Sequence, residues 1–196
     1  MSFLRCFALS LLLALPATVW AQDARLTERL DPATASQVQQ VVDSAERAGL
    51  PGEPLVQKAL EGATLGASND RIVAAVQTLH GQLRRAREAL GGEASDTELT
   101  AAAGALRAGL EPSALRRLQS LRPDQPLVVP IAVLTDLVAE GVPPADATRS
   151  VLDLARDGRP DHEFVALRRQ AQQRGAGTEP MGRPPLRPAA DPPVDQ

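Results

Sequence analysis

Three short strings of similar design limit what this chain can fold into. They are AERAGLP at residues 45–51, ALRAGLEP at 105–112 and LVAEGVPP at 137–144. In each string, a glycine that can adopt the left-handed conformation precedes an apolar residue, and a proline follows. Because proline cannot continue a helix and the apolar side chain can fold back on the last turn, each string predicts a helix stop. The predicted stop residues are Gly49, Leu50, Pro51, Gly109, Leu110, Gly141, Val142 and Pro143.

Apolar residues between the stops recur with the period of a helix. The longest run covers residues 70–90, where apolar side chains stand alternately four and three positions apart. Helix starts are marked as well. Asp31 can cap a helix that begins at Pro32, and Ser95 and Glu98 have the spacing of a capping box.

The predicted stops are also regularly spaced. Glycines stand 17 residues apart at positions 49 and 66, 92 and 109, and 141 and 158. A helix of about 12 to 14 residues plus a turn fits this spacing, as in helical repeat proteins. We therefore expect an all-α fold, an array of short antiparallel helical hairpins that is α-solenoid-like or an irregular bundle. The residue six positions after each of these glycines is apolar, except after Gly92, where it is Glu98. The apolar residues are Leu55, Ile72, Leu115, Ala147 and Phe164.

Composition divides the chain into segments. Residues 1–21 predict a signal peptide, and residues 22–30 a linker. The helical domain is expected at residues 31–174, with a subdivision near 122–130, where three prolines interrupt the helical pattern. Residues 175–196 are rich in proline and poor in large apolar side chains, so we expect a flexible, disordered tail.

The N-terminal leader predicts export to the periplasm or the medium. It has a positive start at Arg5, a short apolar run and small residues before a cut after Ala21. The apolar run is shorter than the roughly 20 residues of a membrane span, so no stable membrane insertion is expected after cleavage. The single cysteine, Cys6, lies in the leader. The mature chain is therefore predicted to lack disulfides, thiol catalysis and cysteine metal sites.

Charge and aromatic content exclude some classes of partner. The full chain has 21 basic and 24 acidic residues, and loss of Arg5 with the leader changes the net charge from −3 to −4. Phe164 is the one phenylalanine, tyrosine or tryptophan beyond the leader. Without a basic footprint or aromatic platforms, the sequence predicts no nucleic-acid binding and argues against sugar stacking.

The sequence has no recognisable catalytic motif. His80 flanks the apolar stripe of residues 70–90 and is expected to be packed and hydrogen-bonded. His162 stands between Asp161 and Glu163, but neighbours on a helix point about 100 degrees apart and cannot bind one ion. These acids are expected in the first turn of a helix, where they complement its dipole. Nucleophile elbows and phosphate loops are missing, so we predict no cofactor.

Arginines cluster at two places in the helical region. Arg84, Arg85 and Arg87 form one cluster, and Arg116 and Arg117 form the second; Arg168 and Arg169 are a further adjacent pair. Such residues usually form a solvated helix face, with ion pairs worth a few tenths of a kcal/mol. The alternative is a contact patch for an anionic envelope polymer or a small ligand.

One segment resembles known sequences. Within residues 45–90 the chain reads AGLPGEPLVQKALEGATLGASNDRIVAAVQTLHGQL. The order of Gly-Leu-Pro, Lys-Ala-Leu-Glu-Gly and Arg-Ile-Val-Ala-Ala-Val resembles a segment of uncharacterised secreted bacterial proteins. The resemblance covers about a quarter of the chain. It implies no activity.

Three functional hypotheses follow from the sequence. The leading one is an exported, non-catalytic structural or protein-interaction module, whose partner is another envelope protein bound in grooves between hairpins. The second is a binder of an anionic envelope polymer or small ligand through the arginine clusters. The third is an enzyme with an unrecognised carboxylate site.

Overall fold

The computed structural model describes residues 23–176. Within that range the chain forms nine α-helices and no strand, which confirms the all-α prediction. The predicted signal peptide and the predicted tail beyond residue 176 lie outside the described residues. The helices are α1 (Ala24–Arg29), α2 (Pro32–Arg47), α3 (Glu53–Thr64), α4 (Asn69–Leu90), α5 (Asp96–Arg107), α6 (Pro112–Leu121), α7 (Val128–Ala139), α8 (Pro144–Arg156) and α9 (Asp161–Ala176).

Of these described helices, five end in the same hydrogen-bonded turn. A glycine two residues beyond the helix has a φ between 65° and 91°, a range that other residues resist. Its N–H donates to the carbonyl oxygen three residues back, and the next N–H donates to the carbonyl five residues back. This is the Schellman arrangement, which satisfies the last carbonyls of a helix. The glycines are Gly49, Gly66, Gly109, Gly141 and Gly158.

The residues next to these glycines take part in the same turns. Leu50 and Leu110 are buried and belong to the hydrophobic core, and Val142 is partly buried against it. Pro51 is buried just before α3, and Pro143 is the N-cap residue of α8. The side chains of these strings therefore serve the interior and the next helix start.

The end of α4 is an exception. Gly91 has the positive φ, 87°, and is itself the C-cap residue, whereas the sequence spacing had pointed to Gly92. The 17-residue spacing therefore does not extend to this corner. The helix starts are as predicted: the Asp31 carboxylate accepts from two backbone N–H groups of α2, and Ser95 and Glu98 form a complete capping box on α5.

Two helices hold the fold together. α4 packs against α2, α3, α5 and α6, while α7 packs against α5, α8 and α9. Helices that are separated by one other helix in the sequence (two apart in the chain) also pack together, as α1 does with α3, α2 with α4, and α6 with α8. The exception is α3 and α5, which both lie on α4 but hardly contact each other. Buried apolar side chains, mainly alanine, valine and leucine, form one cluster with members from α1 to α9, where the member is Phe164.

Two element boundaries differ from the prediction. The expected linker at residues 22–30 contains α1, whose Leu26 is 1% exposed and belongs to the core. A six-residue helix with one buried leucine has too little periodicity to be recognised from sequence. The segment expected to interrupt the helical pattern, residues 122–130, overlaps α7, which starts at Val128 and includes Pro130. Proline is tolerated in the first turn, where N–H groups lack helical partners.

The proline-rich segment between α6 and α7 is tied to the rest of the fold. One Glu98 carboxylate oxygen accepts from the Leu127 N–H at 2.8 Å, and the other accepts from Ser95. Burial by itself would raise the pKa of Glu98. The hydrogen bonds from Leu127 and Ser95 together outweigh burial, so the pKa of Glu98 lies below its ordinary value. The capping carboxylate of α5 thus also fixes the start of α7.

Candidate functional site

A groove lies where α3 and α5 diverge on the surface of α4. Its main cavity has a volume of about 510 Å³ and is open on one side. A smaller recess of about 200 Å³ continues it along α4, and the two share Lys58, Leu79 and Arg107. We call this feature the α3–α5 groove. The main cavity is lined by Glu53, Pro54, Gln57, Lys58, Glu61, Leu79, Thr100, Ala103, Gly104 and Arg107.

The floor of the α3–α5 groove is apolar. Leu79 belongs to the apolar stripe of α4, but it is half-buried. The other five residues of the stripe are buried: Ile72, Val76, Leu83, Ala86 and Leu90. Ala75, also on α4, adjoins it in the recess. The α5 wall is formed by Ala103 and Gly104, and a Cβ atom added at Gly104 would meet no atom within 4 Å. A half-buried leucine beside an open glycine leaves room for an apolar group of a ligand.

Charged side chains on α3 border this floor, and each has a partner. Arg25 donates to both carboxylate oxygens of Glu53, at 2.9 and 2.7 Å, and Gln57 donates to one of them at 2.7 Å. Hydrogen bonds from Arg25 and then Gln57 lower the pKa of Glu53 to about 2. Lys58 pairs with Glu61 at 2.7 Å, and this hydrogen bond lowers the pKa of Glu61.

Arg107 on α5 stands opposite this row. Lys58 lowers the pKa of Glu61 most, burial opposes this, and the positive charge of Arg107 lowers the pKa by a smaller amount. Among the described residues, however, Arg107 has no hydrogen-bond or ion-pair partner, and its side chain is exposed. Sequence analysis did not select Arg107, Lys58 or Glu61, because their meeting depends on how α3 and α5 pack on α4.

A second cleft separates the N-terminal ends of α6 and α8. It has a volume of about 540 Å³ and includes Gly109 and Leu110, two of the predicted stop residues. Arg117 lines it and also borders a neighbouring recess with Arg149 and Arg156. The last two arginines are paired with Asp146 and Asp153 of their own helix. Local pairing therefore neutralises two of the three arginines that border the neighbouring recess.

The predicted arginine patch divides into two kinds of residue. Arg84, Arg85, Arg116 and Arg117 are exposed and have no ion pair within the described part of the chain. Arg87 differs because its guanidinium is engaged by the backbone. It donates to the carbonyl oxygens of three residues after α4 and to that of Gly49, at distances from 2.6 to 3.2 Å. Arg87 is therefore a structural tether and is not available to a ligand.

Arg122 is a second tether, which sequence analysis missed. It follows α6 and is only 3% exposed. Its guanidinium donates to the Arg159 carbonyl at 3.0 Å and to the Asp161 carboxylate at 2.7 Å, and lies 5.1 Å from the centre of the Phe164 ring. Nothing in the local sequence distinguishes this arginine from exposed ones, because its partners come from α9 and the loop before it.

The remaining candidate residues form no site. His162 is exposed, while Asp161 and Glu163 lie in the first turn of α9, as predicted. His80 is partly buried, and its Nε2 has no hydrogen-bond partner within residues 23–174, contrary to the expectation of a hydrogen-bonded histidine. Burial, then the charge of Arg84, lowers the pKa of His80. In the same range, no group of three or more histidine, cysteine or acidic side chains could hold a metal ion.

Comparison with known proteins gives no family. The chain matches no family model, no curated protein and no solved structure. Across the described residues, no helix combines the length and apolar character that a membrane crossing requires. The α3–α5 groove and the charges around it are therefore the features of the molecule that bear on its function.

Proposed function

We propose that the chain is an exported, non-catalytic helical module that binds a segment of another envelope protein in the α3–α5 groove. We further propose that its helices form an array of antiparallel hairpins with α-solenoid-like stacking. The contacts between helices two apart in the chain support this arrangement, since neighbouring units of such arrays stack in this way. Export from the cell rests on the leader at residues 1–21.

The observation that carries the proposal is the interruption of this stacking at α3 and α5. Most helices two apart pack together, yet these two leave a groove between them, with Leu79 as its floor. Closing the groove would bury more of Leu79 and Ala75, which are partly exposed, at about 25 cal/mol per Å² of apolar surface. The free chain does not gain this stabilisation, whereas a complex in which an apolar side chain of the partner enters the groove would.

The shape of the groove favours a polypeptide over a small molecule. Small-ligand sites usually enclose most of the ligand surface. The α3–α5 groove is open on one side, and its two cavities join along α4. An amphipathic helix or an extended segment can lie in such a groove with its apolar side chains on the floor.

Selection of peptides tests the proposal. A phage-displayed library of random peptides would be panned on the immobilised full chain, and the selected peptides would be tested on Gly104→Met, which fills the groove. The matched control is Gly81→Met in α4, where an added Cβ also meets no atom within 4 Å but which lies outside both cavities. We expect Gly104→Met to abolish binding and Gly81→Met to leave it unchanged. Peptides that bind both variants equally, or failure to select any, would refute the proposal.

A second candidate function is binding of an anionic envelope polymer or lipid surface. It is favoured by one observation: four arginines of the predicted patch, at positions 84, 85, 116 and 117, are exposed and have no ion pair within the described region. Replacement of all four by glutamine should then abolish cosedimentation with phosphatidylglycerol vesicles at low salt. Binding that persists in this variant, or that does not weaken with salt, would argue against it.

A further inference from the structure

We infer that the segment bound in the α3–α5 groove carries an aliphatic side chain next to a carboxylate, and that Arg107 binds this carboxylate. This inference rests on the proposed function, because it names the chemistry of the partner at the same groove. The observation behind it is that some of the charged side chains lining the groove already have a partner and one does not.

Four charged side chains line the groove, and three have an ion-pair partner in the fold. Both carboxylate oxygens of Glu53 are bound by Arg25, which lies outside the groove, and Glu61 and Lys58 form an ion pair. Arg107 is the remaining one, and within the described residues it has no partner. Arg25 also binds Asp23, so the cluster of these two acids and one base keeps a net negative charge on the α3 side. Arg107 is thus the one charged side chain of the groove whose hydrogen-bond donors have no acceptor in the described part of the chain.

The position of Arg107 decides where a carboxylate would lie. Arg107 and Leu79 border both the main cavity and the recess, so an anion at Arg107 would be adjacent to the apolar floor. The recess also contains the Gln82 amide, which can donate hydrogen bonds. A guanidinium binds a carboxylate through two parallel hydrogen bonds, the strongest geometry available to these groups.

The apolar side chain would occupy the main cavity beside this anion. There Leu79, Ala103 and the open face of Gly104 form a wall with room for a branched aliphatic side chain. Glu53 and Glu61 would repel a second carboxylate on the α3 side, although their partners reduce this effect. The charges therefore orient the segment, with its acid toward α5 and the recess.

Charge exchange tests the inference with the peptides selected above. Synthetic peptides would be measured by fluorescence anisotropy on the wild-type chain, on Arg107→Glu and on the control Arg71→Glu, an exposed arginine of α4 outside both cavities. We expect Arg107→Glu to weaken binding on the order of tenfold. Arg71→Glu should have little effect. Replacing the peptide acid by lysine should restore binding to Arg107→Glu only.

The outcomes separate this inference from the proposed function. Peptides that require an open Gly104 but are insensitive to Arg107→Glu would overturn the inference and leave the proposed function standing. Peptides that ignore Gly104→Met would overturn both. Dodecanoate binding that depends on Arg107, with no peptide selected, would also overturn both, because the occupant would then be an amphiphile and not a polypeptide.

Discussion

Arg87 lies in the last turn of α4, and Arg122 directly follows α6. Each binds the turn that follows another helix, but the two arginines differ in how deeply they are buried. Both guanidinium groups bind a backbone carbonyl at a glycine corner: Arg87 binds that of Gly49, and Arg122 binds that of Arg159, which follows Gly158. Arg87 is partly exposed, and its four acceptors are all carbonyl oxygens. Arg122 is buried and also meets a carboxylate and an aromatic ring.

The difference shows how burial changes the importance of the same side chain. Water can replace the hydrogen bonds of Arg87 at a partly exposed corner. It can replace those of Arg122 only by entering the core, where its guanidinium fills space next to Phe164. The Nε of Arg122 is buried without a partner in the described part of the chain, so even the native contacts leave one donor unsatisfied.

The largest effect is expected for Arg122→Ala. It removes two hydrogen bonds and leaves a cavity beside Phe164, so we expect a loss of about 2 to 4 kcal/mol in the free energy of unfolding. Urea denaturation measures this change. Arg122→Met should recover part of the packing but not the hydrogen bonds. Equal stability of Arg122→Ala and the wild type would remove the distinction between the two tethers.

A smaller loss is expected for Arg87→Ala. Its four carbonyl acceptors become accessible to water, so we expect a loss of about 1 to 2 kcal/mol by the same measurement. Arg87→Lys should recover only part of this, because an ammonium cannot reach acceptors on two separate corners at once. A larger loss in the free energy of unfolding for Arg87→Ala than for Arg122→Ala would contradict this explanation.

The glycine corners should differ in how well they accept asparagine. Gly49 has a φ of 68°, within the left-handed region that asparagine tolerates, whereas Gly109 has a φ of 91°, outside it. An added Cβ meets no atom within 4 Å at either position, so only backbone strain is tested. We expect Gly109→Asn to lower the free energy of unfolding by about 1 kcal/mol and Gly49→Asn by less. A reversed order in thermal denaturation would contradict this explanation.

The smallest effect is expected for Glu98, which holds the far end of the loop that begins at Arg122. Because the folded pKa of Glu98 is below its ordinary value of 4.5, the carboxylate stabilises the fold above that pH. This contribution disappears as the pH falls through the folded pKa. Glu98→Gln should therefore cost about 0.5 to 1 kcal/mol at neutral pH and progressively less in acid. The control is Glu93→Gln, in the exposed loop before α5, and a pH-independent difference would argue against the carboxylate.

Helix ends could be predicted from the sequence because they depend on local bonds. At Gly49, Gly109 and Gly141 the hydrogen bonds join residues three and five positions apart. Such short spacings appear directly as sequence patterns. The same holds for the capping box of Ser95 and Glu98, although the second bond of Glu98, to Leu127, could not be foreseen.

The groove and the buried arginine could not be predicted, because they depend on packing between distant segments. Leu79 fits the apolar stripe of α4 as well as its buried neighbours do, and only the separation of α3 and α5 exposes it. The partners of Arg122 lie 37 to 39 positions further along the chain. Arg107 and Lys58 likewise meet across a groove that no local pattern describes.

The length of α4 has a consequence for how the domain unfolds. With 22 residues, α4 is about 33 Å long and contacts four other helices. In a linear array whose units touch only their neighbours, terminal units can melt separately. Here the loss of α4 would remove support from helices on both sides of it at once. The described region should therefore melt in a single cooperative transition, with the same midpoint by circular dichroism and by calorimetry.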